Sequence, residues 1–356
     1  MTTQTTVPYR LTRMGIVMTP EPGASNEAEG VLNPASGRGP DGELYLLPRL
    51  VAGGNVSRVG LARVVIEDGI PVGVEREGVV LEPDRGWERG VGNAGVEDPR
   101  TTWIEALGLH VMTYVAYGPL GPRTAIAVSD DLREWRRLGP ALFRYQDDLD
   151  MDLNLFHNKD TVFFPEPVTA PDGTTALAVL HRPMWDLDET KKGQGVRLPA
   201  GIDDPRQSIW ISYIPLEAVR ADLTNLALWE QHRFVAGPEF SFESLKIGGG
   251  PPPLRIPEGW LVLHHGVTGV IDSAFSQQQK VNYAAGALIL DAVDPSRVLA
   301  RTSEPLLAPE TDDERSGIVP NVVFPTAIEQ IDGRLFVFYG MADSKIGVAL
   351  LERTTD

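Results

Sequence analysis

The sequence predicts an all-β protein and, within that class, a single domain over residues 1–356 folded as a five-bladed β-propeller. Three observations support this prediction. A segment of one shape recurs five times along the chain, a second apolar strand follows each copy, and no amphipathic helix exceeds two or three turns. Glycine and proline, at 36 and 29 of 356 residues, are frequent enough for the many turns of such a fold.

Each recurring segment begins with a glycine-containing polar turn, continues as an apolar strand and ends at or near a polar or aromatic residue. The five segments are residues 41–50, 108–119, 172–183, 258–267 and 332–341, and the strands that follow them are residues 59–68, 123–132, 208–216, 283–292 and 346–353. Units of roughly 70 residues with several short strands are typical of propeller blades. A pair of β-sandwiches is the alternative architecture, and residues 216–228 are the best candidate for a short helix.

A propeller brings the innermost strand of each blade to a central channel. If the five recurring segments are those innermost strands, their exits should meet at one site. The exits carry Arg49, Tyr117, Arg182, His265 and Gly340. We therefore expect these positions to surround a common cavity.

Composition excludes several classes of function. The net charge of −17, from 32 basic and 49 acidic residues, argues against nucleic acid and anionic membranes as partners. Without cysteine the chain has no disulfide, thiolate-bound metal or cysteine nucleophile, and the six histidines lack the spacing of a metal site. No signal peptide or membrane-spanning run is evident, so we expect a cytoplasmic protein. A homo-oligomer is left open.

Local motifs are weak when taken singly. The segment GVEDPR at residues 95–100 places charged residues at a turn, where Asp-Pro is also common for structural reasons. The glycine run at residues 248–250 lacks the Gly-Lys-Ser/Thr ending of a phosphate-binding P-loop. His264 and His265 are adjacent on a predicted strand, so only one of them can face the channel.

Taken together, the motifs resemble glycoside hydrolase family 130, whose members include β-mannoside phosphorylases. The resemblance extends from about residue 30 to residue 350. The matching segments, in order, are LNP at 32–34 with Arg49, GVEDPR at 95–100, NKDTVFFPE at 158–166, LHRP at 180–183, KIGGGPPP at 246–253, EGWLVLHHGV at 258–267, YAAGALILDA at 283–292, VPNVVFPT at 319–326 and YGMAD at 339–343.

The resemblance implies a five-bladed catalytic propeller and a role for each matched residue. Asp98 resembles the family's single catalytic acid. The positions that resemble the mannosyl-binding set are Asn33, Arg49 and Asp343, and those that resemble the phosphate-binding set are Lys159, Arg182, Lys246, His265 and Tyr283. Lys159 stands where many members carry arginine, so a bidentate contact is replaced by a point charge.

The implied reaction is phosphorolysis of a β-mannoside with inversion, which gives α-mannose 1-phosphate and a shortened acceptor. Phosphate is already a nucleophile, so one acid facing a group of cations is sufficient, and no cofactor or metal is expected. To act as an acid at neutral pH, Asp98 needs a raised pKa.

Two other functions stay open. A hydrolase of the same family would need a second carboxylate as base, and Glu243 is the candidate because it lies close to Lys246 in sequence. A non-catalytic carbohydrate-binding propeller would need neither Asp98 nor the cations. Two polar, irregular stretches, residues 184–205 and 270–280, are candidates for selecting the linkage and the acceptor sugar.

Overall fold

The protein consists mainly of β-strands, as a computed structural model of residues 7–185, 197–271 and 278–354 shows. This confirms the all-β prediction. The strands, in chain order, are β1 (Tyr9–Met18), β2 (Gly30–Arg38), β3 (Leu44–Ala52), β4 (Val56–Glu67), β5 (Ile70–Leu81), β6 (Ala94–Ile104), β7 (Leu109–Gly118), β8 (Gly121–Ser129), β9 (Arg136–Pro140), β10 (Leu142–Phe143), β11 (His157–Phe163), β12 (Val168–Thr169), β13 (Thr175–Met184), β14 (Ile209–Pro215), β15 (Leu228–Ala236), β16 (Lys246–Gly249), β17 (Leu254–Ile256), β18 (Gly259–Val270), β19 (Lys280–Leu290), β20 (Val298–Arg301), β21 (Val323–Ile331), β22 (Arg334–Met341) and β23 (Lys345–Arg353).

Helical structure is confined to connections between strands. The α-helices are α1 (Leu216–Ala221) and α2 (Asp312–Arg315), and the 3₁₀ turns are Ser25–Glu27, Asp147–Leu149, Leu153–Leu155, Leu223–Ala227 and Ser241–Glu243. The predicted helix at residues 216–228 forms as α1 followed by a 3₁₀ turn. The break lies at Asp222, whose side chain caps the second segment by accepting from the Thr224 amide.

The recurring segments of the sequence are confirmed as strands β3, β7, β13, β18 and β22. Each pairs antiparallel with the strand that follows it in the predicted pattern, β4, β8, β14, β19 and β23 respectively. Most residues of these central strands are buried, including both faces of β3 and β18, because neighbouring sheets cover them.

The strands form four hydrogen-bonded sheets, of four, six, five and eight strands. The eight-stranded sheet holds two antiparallel groups, β2–β5 and β6–β9, joined by the parallel pairs Val56↔Ala94 and Ser57↔Gly95. The sheet count therefore differs from the five separate units that the sequence predicts, because this short parallel contact joins the first two. Counting the two groups separately gives five antiparallel groups in the described chain.

The N-terminal strand belongs to the same sheet as the C-terminal strand. β1 pairs with β23 from Tyr9↔Arg353 to Met18↔Ile346, and β22 and β21 complete the sheet. The last group thus takes its outer strand from the start of the chain, which ties the two ends of the described fold together.

Five apolar clusters fill the spaces between consecutive groups. One cluster joins the second group to the third, for example through Val111 and Leu177. Three others join the first group to the second, the third to the fourth and the fourth to the fifth. The remaining cluster packs Phe338 and Val348 of the last group against Leu46 of the first. The packing order of the groups is therefore cyclic.

One feature of each group differs from the prediction. The recurring segments are not at the inner edge of their sheets, because another strand precedes each of them: β2, β6, β11, β16 and β21. Each of these five strands lies at one edge of its antiparallel group, and they are called edge strands here. They contact one another, with β2 between β6 and β21 and with β11 between β6 and β16. They were missed as separate strands because bulges and proline interrupt their apolar pattern, as at Asp98-Pro99 in β6.

No helix among the described residues is long and apolar enough to cross a membrane.

Candidate active site

The edge strands surround a cavity of about 340 Å³. The structure brings all nine residues of the predicted site to its wall: Asn33, Arg49, Asp98, Lys159, Arg182, Lys246, His265, Tyr283 and Asp343. Four of the five predicted strand exits also line it, and the fifth, Gly340, packs against Asn33 instead.

Asp98 lies on a β-bulge in the edge strand β6. The register shifts between Glu97 and Arg100, and the backbone of Asp98 is left-handed, with φ 45°. Its Oδ1 atom accepts hydrogen bonds from Asn33 Nδ2 at 2.8 Å and from Arg49 Nη1 at 3.1 Å. The bulge turns this carboxylate towards the cavity, and two donors fix its orientation.

The pKa of Asp98 differs from the sequence expectation. Burial raises it, but the charges of Arg49, Lys159 and Arg100 and the hydrogen bond from Asn33 outweigh burial, so the pKa lies below its usual value. The free protein therefore lacks the raised pKa that acid catalysis by Asp98 requires. Nearby cations stabilise the carboxylate form when no anion is present to balance them.

Glu97 is a buried site residue that the sequence reasoning did not single out. Its carboxylate lies 2.8 Å from Arg49 Nη2 and 3.6 Å from Lys159 Nζ. Glu97 thus balances two of the predicted ligand-binding cations in the free protein. The signal for it was present in the GVEDPR segment, where it directly precedes Asp98.

Asp343 has the opposite electrostatic environment. Burial together with the negative charges of Asp98 and Glu97 raises its pKa to about 7, although Arg49 and Lys159 act against this. The cavity thus contains one carboxyl group that is substantially protonated near neutral pH and one, Asp98, that is ionised.

Another part of the cavity lining, called the cationic wall here, carries Arg182 and Lys246 beside His265. Arg182 Nε donates to Asp160 Oδ2 at 2.5 Å, and His265 Nε2 lies 3.4 Å from the same oxygen. Arg182 Nη1 and His265 Nδ1 are buried and have no hydrogen-bonding partner among the described residues. A buried guanidinium nitrogen without a partner is costly, and an anionic ligand would supply one.

Lys246, Tyr283 and Phe324 complete this wall. Lys246 Nζ lies 5.5 Å from the centre of the Tyr283 ring, and the Phe324 ring meets His265 edge-on at 4.4 Å. Burial lowers the pKa of His265 to about 4 despite the neighbouring Asp160 carboxylate, so the imidazole is neutral at neutral pH. The Tyr283 hydroxyl donates to Gln278 Oε1 at 2.6 Å.

The two adjacent histidines face opposite ways, as predicted. His265 lines the cavity, whereas His264 Nε2 lies 2.8 Å from Glu243 Oε1 on the other side of the sheet. Glu243 is fully buried there, also accepts from Arg301 Nη2 at 2.7 Å, and does not line the cavity. The assignment of Glu243 as a candidate base is therefore wrong, because proximity to Lys246 in sequence does not bring it to the same face.

The part of the chain that the structure describes holds no group of three or more His, Asp or Glu arranged to bind a metal ion. Residues 186–196 and 272–277, the central parts of the two stretches predicted to select linkage and acceptor, lie outside the described residues.

Comparison with known proteins agrees with this geometry. A family model described as beta-1,4-mannooligosaccharide phosphorylase, that of glycoside hydrolase family 130, matches residues 26–354. The chain belongs to glycoside hydrolase family 130. The resemblance stated from the sequence motifs is thus confirmed over nearly the whole chain.

Relatives within family 130 include two from Thermoanaerobacter sp. (strain X514). A beta-1,2-mannobiose phosphorylase is 32% identical over 84% of this chain and 78% of its own. A 1,2-beta-oligomannan phosphorylase is 31% identical over 72% of this chain and 68% of its own. The solved structure of a Listeria innocua beta-1,2-mannobiose phosphorylase, in complex with beta-1,2-mannobiose, shares the fold, with a TM-score of 0.69, 22% identity and coverage of 97% and 96% of the two chains.

Proposed function

We propose that this family 130 protein is an inverting β-mannoside phosphorylase. Its substrates are a β-mannoside, such as a mannooligosaccharide, and inorganic phosphate, and its products are α-mannose 1-phosphate and a shortened acceptor. The relatives named above as mannoside phosphorylases support this assignment.

The observation that carries the proposal is that one cavity holds both a carboxyl group and an unfilled cationic site. Asp98 is held by Asn33 and Arg49. In the same cavity the buried Nη1 atom of Arg182 has no partner among the described residues, and Lys246 also lines the cavity. An acid and an anion site in one cavity are what attack by phosphate on a glycoside requires, whereas Glu243, the base considered for hydrolysis, is bonded to His264 and Arg301 outside the cavity.

In this proposal Asp98 is the general acid, and Asn33, Arg49 and Asp343 hold the mannosyl unit. Phosphate binds Lys159, Arg182, Lys246, His265 and Tyr283. A phosphate anion bound among the cations of this set, Lys159, Arg182 and Lys246, reduces their effect on Asp98 and raises its pKa, which moves the carboxyl towards its protonated, acidic form. Phosphate acts as co-substrate, and no other cofactor takes part.

We further propose that residues 1–356 form one five-bladed β-propeller. The support is the cyclic order of the five apolar clusters, which packs each antiparallel group against the next and the last against the first. The chain would act on small molecules in the cytoplasm, without nucleic acid or membrane as partner. A homo-oligomer is compatible with this proposal.

The first test compares wild-type turnover of β-1,2- and β-1,4-mannobiose with and without inorganic phosphate. We expect phosphate-dependent release of mannose 1-phosphate. A rate independent of phosphate from zero to millimolar concentration, with free mannose as product, would establish the hydrolase instead. No turnover in either condition, with retained sugar binding, would indicate a carbohydrate-binding protein.

The second test is Lys246→Ala. Loss of an ammonium contact to a phosphate anion should raise the apparent KM for phosphate and lower kcat/KM for phosphate about tenfold to hundredfold, with a smaller effect on the mannoside. Lys345→Ala is the matched control, because Lys345 pairs with Asp313 and does not line the cavity. Equal effects of Lys246→Ala on both substrates would remove Lys246 from the phosphate site.

A further inference from the structure

Asp160 lies within the cationic wall, and the mechanism above does not use it. Its Oδ2 atom contacts both Arg182 Nε and His265 Nε2. The side chain is buried, and its pKa lies well below the usual value, against the effect of burial, because of the charges of Arg182 and His265 and the hydrogen bond with His265. Coulomb repulsion alone makes a carboxylate unfavourable beside an anion-binding site. Its presence there requires another explanation.

The surrounding backbone is arranged to admit this carboxylate. Asp160 lies at a register shift in β11 and has φ 54°, a conformation that aspartate and asparagine tolerate better than most residues. On the neighbouring edge strand, a Cβ atom at Gly248 would overlap Asp160 Oδ2 and approach the His265 ring to 2.6 Å. The glycine run at residues 248–250, which is no phosphate-binding P-loop, therefore provides space for the Asp160–His265 contact at Gly248.

The contacts of Asp160 determine how its two neighbours present their remaining nitrogen atoms. An ionised carboxylate only accepts hydrogen bonds, so the proton of the neutral His265 ring lies on Nε2, the atom facing Asp160. The buried Nδ1 atom is then an acceptor, which can receive the hydroxyl proton of hydrogen phosphate. Arg182 is held through Nε at one edge of its planar guanidinium, which leaves Nη1 buried without a partner among the described residues. One carboxylate thus fixes both side chains of the unfilled site.

We propose that Asp160 is a positioning residue for the phosphate site. It holds Arg182 and His265 in the orientation that receives inorganic phosphate, and Gly248 is the residue that makes room for it. This inference rests on the proposed phosphorylase function and adds a residue through which that site is organised. Asp160 contributes no proton to the reaction and acts through its two neighbours.

The test is Asp160→Asn, which keeps the side-chain shape and tolerates the left-handed backbone. We expect the KM for phosphate to rise about tenfold or more while the KM for the mannoside changes less than about twofold, and calorimetric titration with inorganic phosphate should show the same weakening. The direction of the change in phosphate affinity distinguishes the possible roles of Asp160. Removal of a purely repulsive charge would tighten phosphate binding, and a purely structural role would lower the melting temperature with phosphate binding unchanged; either result overturns the proposal.

Gly248→Ala is the second variant, and it decides the question if Asp160→Asn does not fold. It keeps the charge but displaces the carboxylate, so phosphate binding should weaken in the same direction. Gly73→Ala is its control, because a Cβ there would meet nothing within 4 Å and Gly73 does not line the cavity. Glu88→Gln disturbs a buried carboxylate–arginine pair that does not line the cavity and should leave the phosphate KM unchanged.

A wild-type rate that does not depend on phosphate would contradict the proposed function itself. A phosphate-dependent wild type with an unchanged phosphate KM in both Asp160→Asn and Gly248→Ala would contradict only the role of Asp160.

Discussion

At the scale of single residues, the cavity is organised by carboxylates of different protonation. Asp98 is ionised in the free protein because Arg49 and Lys159 are near it, whereas burial raises the pKa of Asp343, in the same cavity, to about 7. The two aspartates therefore differ in protonation at neutral pH because their surroundings differ. Two predictions follow from this difference.

Asp98→Asn should lower turnover by about 10²–10⁴-fold, because the amide keeps the side-chain shape but cannot deliver a proton. The amide oxygen can still accept from Asn33 and Arg49, so we expect the circular dichroism spectrum to be retained. Steady-state phosphorolysis with purified variant measures the effect. Near wild-type activity in folded Asp98→Asn would remove Asp98 from the mechanism.

Asp343 should make the wild type less stable as the pH rises from about 4 to about 7. Its folded pKa, about 7, exceeds the reference value of 3.8, so between these values the folded state binds the extra proton and the free energy of unfolding falls by up to about 1.4 kcal/mol per pH unit, with no further loss well above pH 7. Asp343→Asn should lack this loss. Its melting temperature relative to wild type, in phosphate-free buffer, should increase between pH 5 and 8, and a constant difference would contradict the raised pKa.

At the scale of elements, the edge strands position the site, and bulges aim its side chains. Asn33, Asp98 and Asp160 all have left-handed backbone at register shifts in β2, β6 and β11. A bulge inserts an extra residue and redirects the strand, which lets consecutive residues such as Glu97 and Asp98 both line the cavity. The pairing of β1 with β23 has a separate role, which is to join the ends of the described chain.

A disulfide across this pairing should stabilise the fold. Arg10 and Glu352 are register partners on exposed positions, and the protein contains no cysteine that could interfere. In Arg10→Cys/Glu352→Cys, closing this long loop should add about 2–4 kcal/mol to the free energy of unfolding, more than the exposed ion pair contributes. The same variant under reducing conditions is the control. Equal melting temperatures of the oxidised and reduced forms would show that β1 separation does not limit unfolding.

At the scale of the whole molecule, buried histidines link stability to pH. His181 Nε2 and His232 Nδ1 both lie 2.8 Å from Ser212 Oγ, and His232 Nε2 donates to the Arg144 carbonyl at 2.9 Å. Burial lowers the pKa of His232 to about 4 and that of His181 well below its usual value. Both rings are therefore neutral at neutral pH.

The protein should therefore lose stability on acidification from about pH 6.5 towards pH 4. Unfolded histidines, with a reference pKa of 6.5, bind protons in this window, whereas folded His232 and His265, with pKa values of about 4, do not. On acidification, each of these two histidines lowers the free energy of unfolding by about 1.4 kcal/mol per pH unit. Asp343 raises it over the same pH range and so opposes part of this loss. Denaturant titrations at several pH values measure this slope, and His232→Gln should reduce it. An equal slope in wild type and His232→Gln would contradict the assignment.

The sequence by itself determined the strand content, the five recurring strand pairs, the family and, through the family resemblance, nine of the residues that line the cavity. The alternation of apolar and polar residues, the glycine-marked turns and the short motifs are local properties, so they can be identified in the sequence alone. Only the tertiary structure placed Glu243 behind the sheet and Asp160 between Arg182 and His265. It also set the ionised state of Asp98, because a pKa depends on charges that come from distant parts of the chain.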